Sequence, residues 1–172
     1  MPGDRFVTLP SYETTLGVTI NTTPAAIWPW LLQMGYRRGG LYSYDWLDRL
    51  FGYLDAPSAE RILPQWQQLA IGDEIPIGRG DGFPVKAIEP CRSLVLGGYR
   101  EDVEWTWELA IVPLSMERVR LISRNRVWMP RRIRLWFMMV LIEPAAFLMT
   151  RKMLLGIKRR AEARARMERK AA

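Results

Sequence analysis

The residues best suited to proton chemistry in this sequence stand in one short segment that follows a pair of glycines. They are Tyr42, Tyr44 and Asp45, and Trp46 follows them directly. A carboxylate in a dry pocket has a raised pKa and acts as a general base, and a tyrosine hydroxyl donates a proton. Asp45 is therefore a candidate base, with Tyr42 or Tyr44 as the acid. The structural alternative is that Asp45 is a charge at the start of a short helix, where an acidic side chain is stabilising.

The lack of histidine removes the commonest catalytic alternatives. The 172 residues contain no His and one Cys, Cys91. Serine or cysteine nucleophiles activated by an imidazole are excluded, and a zinc site with the usual nitrogen and sulfur ligands is nearly excluded. We therefore expect no metal ion and no cofactor. Any proton transfer would depend on Asp, Glu, Tyr, Lys or water.

Composition indicates a single globular domain. Hydrophobic residues make up 49% of the chain and charged residues 25%, which is an ordinary balance for a folded protein. We expect one domain over residues 1–172, with an extended N-terminal arm over residues 1–12 and a basic helix end over residues 158–172. The first residues hold no apolar run of the signal-peptide kind. This favours a cytoplasmic protein.

The net charge of +7 is concentrated near the C-terminus and has more than one interpretation. A solvated helix end is the simplest, because basic side chains stabilise the last turns of a helix. The alternative is peripheral contact with an anionic membrane, with apolar area from Leu135–Ile157 and charge at its two ends from Arg131, Arg132, Arg134 and Lys158–Arg160. The apolar segment from Leu135 to Met149 is shorter than the roughly 20 residues that a spanning helix needs. Nucleic-acid binding is not expected, because no recognised module accompanies the basic residues.

The first third of the chain predicts a strand and two short helices. Alternating apolar residues predict a strand over Thr14–Ile20. A helix should follow, capped by Thr22 or Thr23, with one apolar face and an end at Gly35. A second helix is expected over Tyr44–Phe51, capped by Ser43. Its predicted apolar side consists of Trp46, Leu47, Leu50 and Phe51.

The middle of the chain changes to a period of two residues, which predicts consecutive strands. Short turns between them favour one antiparallel sheet. The expected strands are Asp73–Ile77, Phe83–Ile88, Arg92–Gly97, Val103–Pro113 and Glu117–Trp128.

The C-terminal segment predicts helices. A short helix is expected over Ile133–Ile142 and a long one over Glu143–Lys170, with Pro144 in its first turn. Apolar residues at helical spacing predict a stripe that lies against the sheet, and the fold class is therefore α+β. The predicted stripe consists of Ala146, Phe147, Thr150, Met153, Leu154, Ile157 and Ala161.

Four segments together resemble the SRPBCC superfamily, which includes START-like lipid-transfer and polyketide-cyclase-like proteins. They are VTINTTPAAIWPWL (18–31), GDEIPI (72–77), FPVKAIEPCRSLVL (83–96) and EWTWEL (104–109). The resemblance implies a helix-grip fold, in which a curved antiparallel sheet wraps around the C-terminal helix with a cavity between them. It also implies binding of an apolar or aromatic small molecule, or of a lipid. Some members only bind their ligand, and others catalyse cyclisation or dehydration.

Large aromatic and flexible side chains are the candidate lining of such a cavity. The predicted ligand-binding residues are Gln33, Tyr42, Tyr44, Trp46, Trp105, Trp107, Phe147, Met149 and Met153. Three functional hypotheses remain open at this point. They are a carrier of a hydrophobic molecule, a cyclase or hydratase using Asp45 and a tyrosine, and a protein of the membrane surface.

Overall fold

A computed structural model describes residues 1–80, 82–100, 102–130 and 133–171 of the chain, without the side chains of residues 134–136, 138, 139 and 171. The strands are β1 (Tyr12–Ile20), β2 (Glu74–Pro76), β3 (Gly82–Glu89), β4 (Ser93–Arg100), β5 (Val103–Ser115) and β6 (Arg118–Trp128). The helices are α1 (Pro24–Leu32), α2 (Asp45–Leu50) and α3 (Ile133–Ala171), with 3-10 turns at Pro2–Arg5 and Pro64–Trp66.

The six strands form one sheet in the order β1-β6-β5-β4-β3-β2, and every neighbouring pair is antiparallel. The consecutive strands β2 to β6 are joined by short connections, as their turn residues predicted. β1 forms one edge of the sheet and pairs with β6. The predicted α+β class and the strand positions are confirmed, with boundaries that differ by a few residues.

Helix α1 buries the face that its sequence predicted. Ile27, Trp30 and Leu31 are at most 1% exposed. Pro24 occupies the first turn, and Pro29 lies inside the helix. The helix ends at Leu32 and not at Gly35, because the backbone N–H of Gln33 bonds to carbonyls of the last turn and the chain then departs from it.

Helix α2 corrects two predictions. Its N-cap is Tyr44, and no side-chain cap hydrogen bond is present, so Ser43 is not the cap. The apolar side chains point to solvent, with Trp46 68% and Leu50 72% exposed, whereas Asp48 is fully buried. Six residues give too short a face to pack on a core, and polar contacts to the following loop hold the segment instead.

Helix α3 runs through Pro144 without a break, so the predicted separate helix over Ile133–Ile142 is wrong. The proline forgoes one backbone hydrogen bond, and the remaining turns continue the helix. α3 packs on β1 and α1. Arg131 and Arg132, which the membrane hypothesis invoked, lie outside the described residues.

The two halves of α3 have different surroundings. In the seated half (residues 149–165), Met153, Leu154, Ile157 and Ala161 are at most 4% exposed and belong to the core. In the exposed half (residues 133–148), the large apolar side chains that the structure describes are 47% to 81% exposed. The predicted buried stripe is therefore correct for the seated half and wrong for Ala146 and Phe147, which are both exposed.

Two further features complete the fold. The first residues are not extended throughout, because Pro2–Arg5 form a 3-10 turn whose Gly3 N–H donates to Glu108 Oε2 at 2.9 Å. In the part of the chain that the structure describes, no helix combines the length and the apolarity that crossing a bilayer requires.

Candidate functional site

A pocket lies between the sheet and α3, at the junction of the two halves of that helix. Its volume is about 200 Å³. Tyr12, Thr14, Leu16 and Asn125 line it from β1 and β6. Glu143, Ala146, Phe147 and Thr150 line it from α3. We call it the sheet–helix pocket, and it lies where the helix-grip resemblance places a cavity.

Two tryptophans extend the same face of the sheet beyond this pocket. Trp107 stands opposite Asn125, and Trp105 stands opposite Val127, which in turn pairs with Tyr12. Directly paired residues of an antiparallel sheet project from the same face. Both tryptophans therefore project on the side of the sheet that carries the sheet–helix pocket, and both are only partly buried.

Phe83 joins the two tryptophans into an aromatic wall, defined by Phe83, Trp105 and Trp107. The Phe83 ring centre lies 4.3 Å from that of Trp105 and 6.3 Å from that of Trp107. The indole N–H of Trp107 donates to Ser123 Oγ at 2.9 Å, which fixes the ring. The three rings are partly buried, so the wall leaves apolar surface accessible next to the core.

The sheet–helix pocket also contains a polar pair that the sequence analysis did not single out. Burial raises the pKa of the Tyr12 hydroxyl, and the neighbouring Glu143 carboxylate raises it further and lies within hydrogen-bonding reach. Perturbed titratable groups that line a pocket are candidates for function. The available signal was Glu143 itself, a single charge within a long apolar run.

A second pocket brings together most of the segment that opened the sequence analysis. Its volume is about 680 Å³, and we call it the cationic cleft. One wall is formed by residues 42–46, Arg49 and Glu60, and the other by Lys152, Leu155, Gly156, Arg159 and Arg160 of α3. It shares no lining residue with the sheet–helix pocket. The predicted site residues are thus divided between two places.

The contacts of Asp45 indicate a structural role. Its Oδ2 accepts the backbone N–H of Ser58 at 3.0 Å, and its Oδ1 accepts the Ser58 hydroxyl at 2.7 Å. Both carboxylate oxygens are therefore engaged in holding the loop after α2. This arrangement favours the structural interpretation over the general base, which stays a prediction.

Tyr42 is similarly engaged. It is 1% exposed, and its hydroxyl donates to the carbonyl of Trp30 at 3.2 Å. Burial raises the pKa of this hydroxyl well above its usual range, which makes it a weaker acid. The ring is covered by the Arg160 guanidinium at 4.9 Å. Tyr42 thus connects α1 to α3, and Tyr44, which is partly exposed, is the better placed tyrosine for a ligand.

The remaining predicted residues belong to the interior rather than to a pocket wall. Gln33 is fully buried, and its side-chain amide bonds to the backbone at Arg61 and Leu63, which fastens the long loop before β2. Met153 is a core residue at 4% exposure. Met149 is partly buried on α3 beside Thr150. Their assignment to a ligand stays a prediction.

Asp48 of α2 is a buried carboxylate that the sequence analysis did not single out. Neither of its oxygens has a hydrogen-bond partner in the described residues. Burial, with the nearby charge of Asp45, raises the pKa of Asp48 to about 6. Within those residues, no group of three or more Asp, Glu, Cys or His is placed to hold a metal ion.

Comparison with known proteins shows a similarity of fold only. No family model and no curated protein matches it. The solved di-domain aromatase/cyclase StfQ, from the steffimycin biosynthetic pathway, is similar with a TM-score of 0.52 and 13% identity, covering 89% of this chain and 51% of that one. The chain therefore spans about half of StfQ.

Two other solved structures align over nearly their whole length. The Zhui aromatase/cyclase from Streptomyces sp. R1128 has a TM-score of 0.48 and 13% identity, over 90% of this chain and 95% of that one. Protein MLL2253 from Mesorhizobium loti has a TM-score of 0.47 and 12% identity, over 88% and 98%. At such identities a likeness shows the fold alone. The chain has the helix-grip fold that its sequence resembles.

Proposed function

We propose that this protein binds a hydrophobic or aromatic small molecule between the sheet and helix α3. The observation that carries the proposal is the aromatic wall, which stays partly exposed on the face that carries the sheet–helix pocket. Aromatic side chains contribute large contact areas with little loss of conformational freedom, and ligand pockets are predominantly apolar with a few polar groups. Tyr12 and Glu143 supply such polar groups here.

The dimensions favour a ligand that extends beyond the sheet–helix pocket. A volume of about 200 Å³ lies below the range of roughly 300–1,000 Å³ that is usual for drug-sized ligands. Trp107 is two strands from β1, so a longer molecule would run from the pocket across β6 to the aromatic wall. The di-domain aromatase/cyclase that shares the fold makes polycyclic aromatics one reasonable class to include among the first probes.

The test is a titration of the full chain with neutral probes, namely a polycyclic aromatic, a sterol and a long-chain alcohol, followed by calorimetry. Trp105→Leu should weaken binding about tenfold, since a buried aromatic contact is worth on the order of 1 kcal/mol or more. Ala146→Phe should abolish it by filling the pocket. Trp46→Leu is the matched control, because Trp46 is exposed and lies in the cationic cleft.

The proposal fails if none of the three probe classes binds. It also fails if a probe binds with equal affinity to the wild type, Trp105→Leu and Ala146→Phe. Circular dichroism and thermal denaturation of each variant separate a lost binding site from a lost fold.

A second candidate function is attachment to a membrane surface, which the exposed half of α3 favours. Ile133, Leu141 and Leu148 lie on one side of the helix and are 76%, 81% and 53% exposed. Exposed apolar surface of this extent marks interaction sites. Lys152 follows it and is exposed, which suits an interface with anionic lipid.

Flotation with phosphatidylcholine vesicles, with and without phosphatidylglycerol, tests this second candidate. Leu141→Ser should reduce the floated fraction several-fold. Met116→Ser is a matched control, because Met116 is 92% exposed and lies between β5 and β6, where the neighbouring Glu117 pairs with Arg169 at the other end of α3. An equal loss in both variants, or no flotation of the wild type, contradicts membrane attachment through α3.

A further inference from the structure

We propose that the cationic cleft is a second binding site, for a small organic anion with an aromatic or apolar body. The cleft is separate from the sheet–helix pocket, so this inference goes beyond the ligand proposed above. It is carried by the shape of the cleft, by an excess of positive charge, since the lining contains four cationic and two anionic side chains, and by the aromatic side chains at its edge.

The base of the cleft is a close contact between the loop before α2 and helix α3. Tyr42 adopts a left-handed backbone conformation with φ of 57°, and its carbonyl oxygen approaches Gly156. A Cβ atom at residue 156 would overlap that oxygen, so glycine is required where loop and helix meet. This contact fixes the two walls of the cleft at a constant separation.

The carboxylates of the cleft are already occupied. Asp45 accepts two hydrogen bonds from Ser58. Oε1 of Glu60 lies 2.7 Å from Nη2 of Arg159 and 2.7 Å from Nη2 of Arg160, so one carboxylate serves two guanidinium groups. Arg160 makes further bonds to the carbonyls of Ala59 and Gly156 and is structural.

Lys152 and Arg49 are the cations that the cleft leaves for a ligand. Among the described residues, no carboxylate forms an ion pair with either of them, and both are exposed. The Lys152 ammonium lies 5.3 Å from the centre of the Tyr44 ring. A single anionic group that bonds to both cations would gain charge-assisted hydrogen bonds.

The side chains at the edge of the cleft determine the part of the ligand that is not anionic. Tyr44 is partly exposed, Trp46 is 68% exposed and Leu155 is 38% exposed, and all three line the cleft. Free inorganic phosphate would leave these apolar surfaces uncovered. An aromatic phosphate or carboxylate would use both the cations and the rings, which defines the chemical class that fits.

The experiment is calorimetric titration of the full chain with 1-naphthyl phosphate, with 1-naphthol and inorganic phosphate as matched probes. We expect 1-naphthyl phosphate to bind more tightly than either probe. Lys152→Ala and Arg49→Ala should each weaken it about fivefold, the effect of one partly exposed charged contact. Arg151→Ala removes the same charge from the neighbouring position outside the cleft and should leave binding unchanged.

Three results would overturn the proposal. They are equal affinity for 1-naphthol, an Arg151→Ala effect as large as that of Lys152→Ala, and binding that is insensitive to both Lys152→Ala and Arg49→Ala. Sensitivity to Ala146→Phe would also overturn it, because the probe would then occupy the sheet–helix pocket. The two binding proposals therefore fail independently of each other.

A vesicle arm identifies the source of the anion. Vesicles that contain phosphatidic acid present the same phosphate monoester on a lipid. If only these vesicles bind, and if Lys152→Ala lowers the bound fraction while Arg151→Ala does not, the anion is a lipid headgroup. If neither the soluble ester nor the vesicles respond to Lys152→Ala, the cleft is not an anion site.

Discussion

The seated and exposed halves of α3 belong to one continuous helix, yet the more apolar half is the one that faces solvent. Residues 133–148 contain Ile, Leu, Phe and Val at most described positions, and the large ones are 47% to 81% exposed. Residues 149–165 include several Arg and Lys, and nevertheless supply Met153, Leu154 and Ile157 to the core.

The difference shows that burial along α3 is decided by the surfaces opposite it. The seated half meets α1, β1 and the loop around Tyr42, which together surround its inner face. The exposed half passes beside the partly open face of the sheet at the sheet–helix pocket. Apolar residues that are not used for folding are available for a ligand, a lipid surface or both.

The largest effect that separates the two halves should come from truncating one buried and one exposed side chain. Ile157→Ala removes a fully buried side chain from the core and should lower the free energy of unfolding by about 2–5 kcal/mol. Leu141→Ala removes an 81% exposed side chain and should change it by less than about 0.5 kcal/mol. Urea denaturation of the two variants measures both values.

Comparable losses in these variants would contradict the division of α3. In that case the exposed half would contribute to folding through contacts that its exposed surface does not indicate. Met153→Ala, at 4% exposure, provides a second variant on the seated side and should resemble Ile157→Ala.

The second largest effect on stability concerns α2, which follows the loop around Tyr42 that contacts the seated half at Gly156. The folded-state pKa of Asp48 is about 6, above the ordinary 3.8, so the folded protein holds this proton more tightly than the unfolded chain. Stability should therefore fall as pH rises from about 4 to about 6, by up to about 3 kcal/mol, and then stay level. The penalty is absent at pH values below the ordinary pKa.

Asp48→Asn should remove this pH dependence and stabilise the protein by about 1–3 kcal/mol at pH 7.5. Denaturation midpoints between pH 4 and pH 8 provide the measurement. Asp55→Asn is the control, since Asp55 is an exposed partner of Arg37 and its pKa is lowered. The free energy of unfolding of the wild type is compared with that of Asp48→Asn at each pH. If the wild type gains stability relative to the variant between pH 4 and pH 6, the Asp48 carboxylate is not destabilising.

Sequence periodicity was sufficient for the sheet and for the existence of α1 and α3. Apolar residues alternate through much of β5 and β6 because one face of the sheet meets the core, and the buried set Ile27, Trp30 and Leu31 follows from helical spacing alone. Periodicity could not locate the end of the core along α3, because that end depends on where α1 and the sheet stop. It also failed for α2, where polar contacts of Asp45 outweigh the apolar side.

The candidate sites were predicted less completely, because they also depend on contacts between segments that are distant in the sequence. Trp105, Trp107 and Phe147 were expected in a cavity, and they lie on the aromatic wall and in the sheet–helix pocket. The segment around Tyr44 was expected in the lining of that cavity, whereas the structure places it against Lys152 and Arg159. Residues more than 100 positions apart form the cationic cleft, and no local pattern reports such a pairing.

The smallest effect should appear at the junction of the two halves, where Glu143 faces Tyr12. Glu143→Gln removes the negative charge that raises the tyrosine pKa, so the pKa of Tyr12 should fall, while burial keeps it above its ordinary value of 10.0. Spectrophotometric titration of the variant and the wild type, each against its Tyr12→Phe derivative, isolates this hydroxyl.

Stability at pH 7 should change by less than about 0.5 kcal/mol, since Glu143 is exposed. A raised folded-state pKa adds stability that is lost as pH climbs through it, so the wild type should lose more stability than Glu143→Gln at alkaline pH. If the Tyr12 pKa does not respond to Glu143→Gln, Glu143 does not lie beside Tyr12, and the polar end of the sheet–helix pocket is not formed.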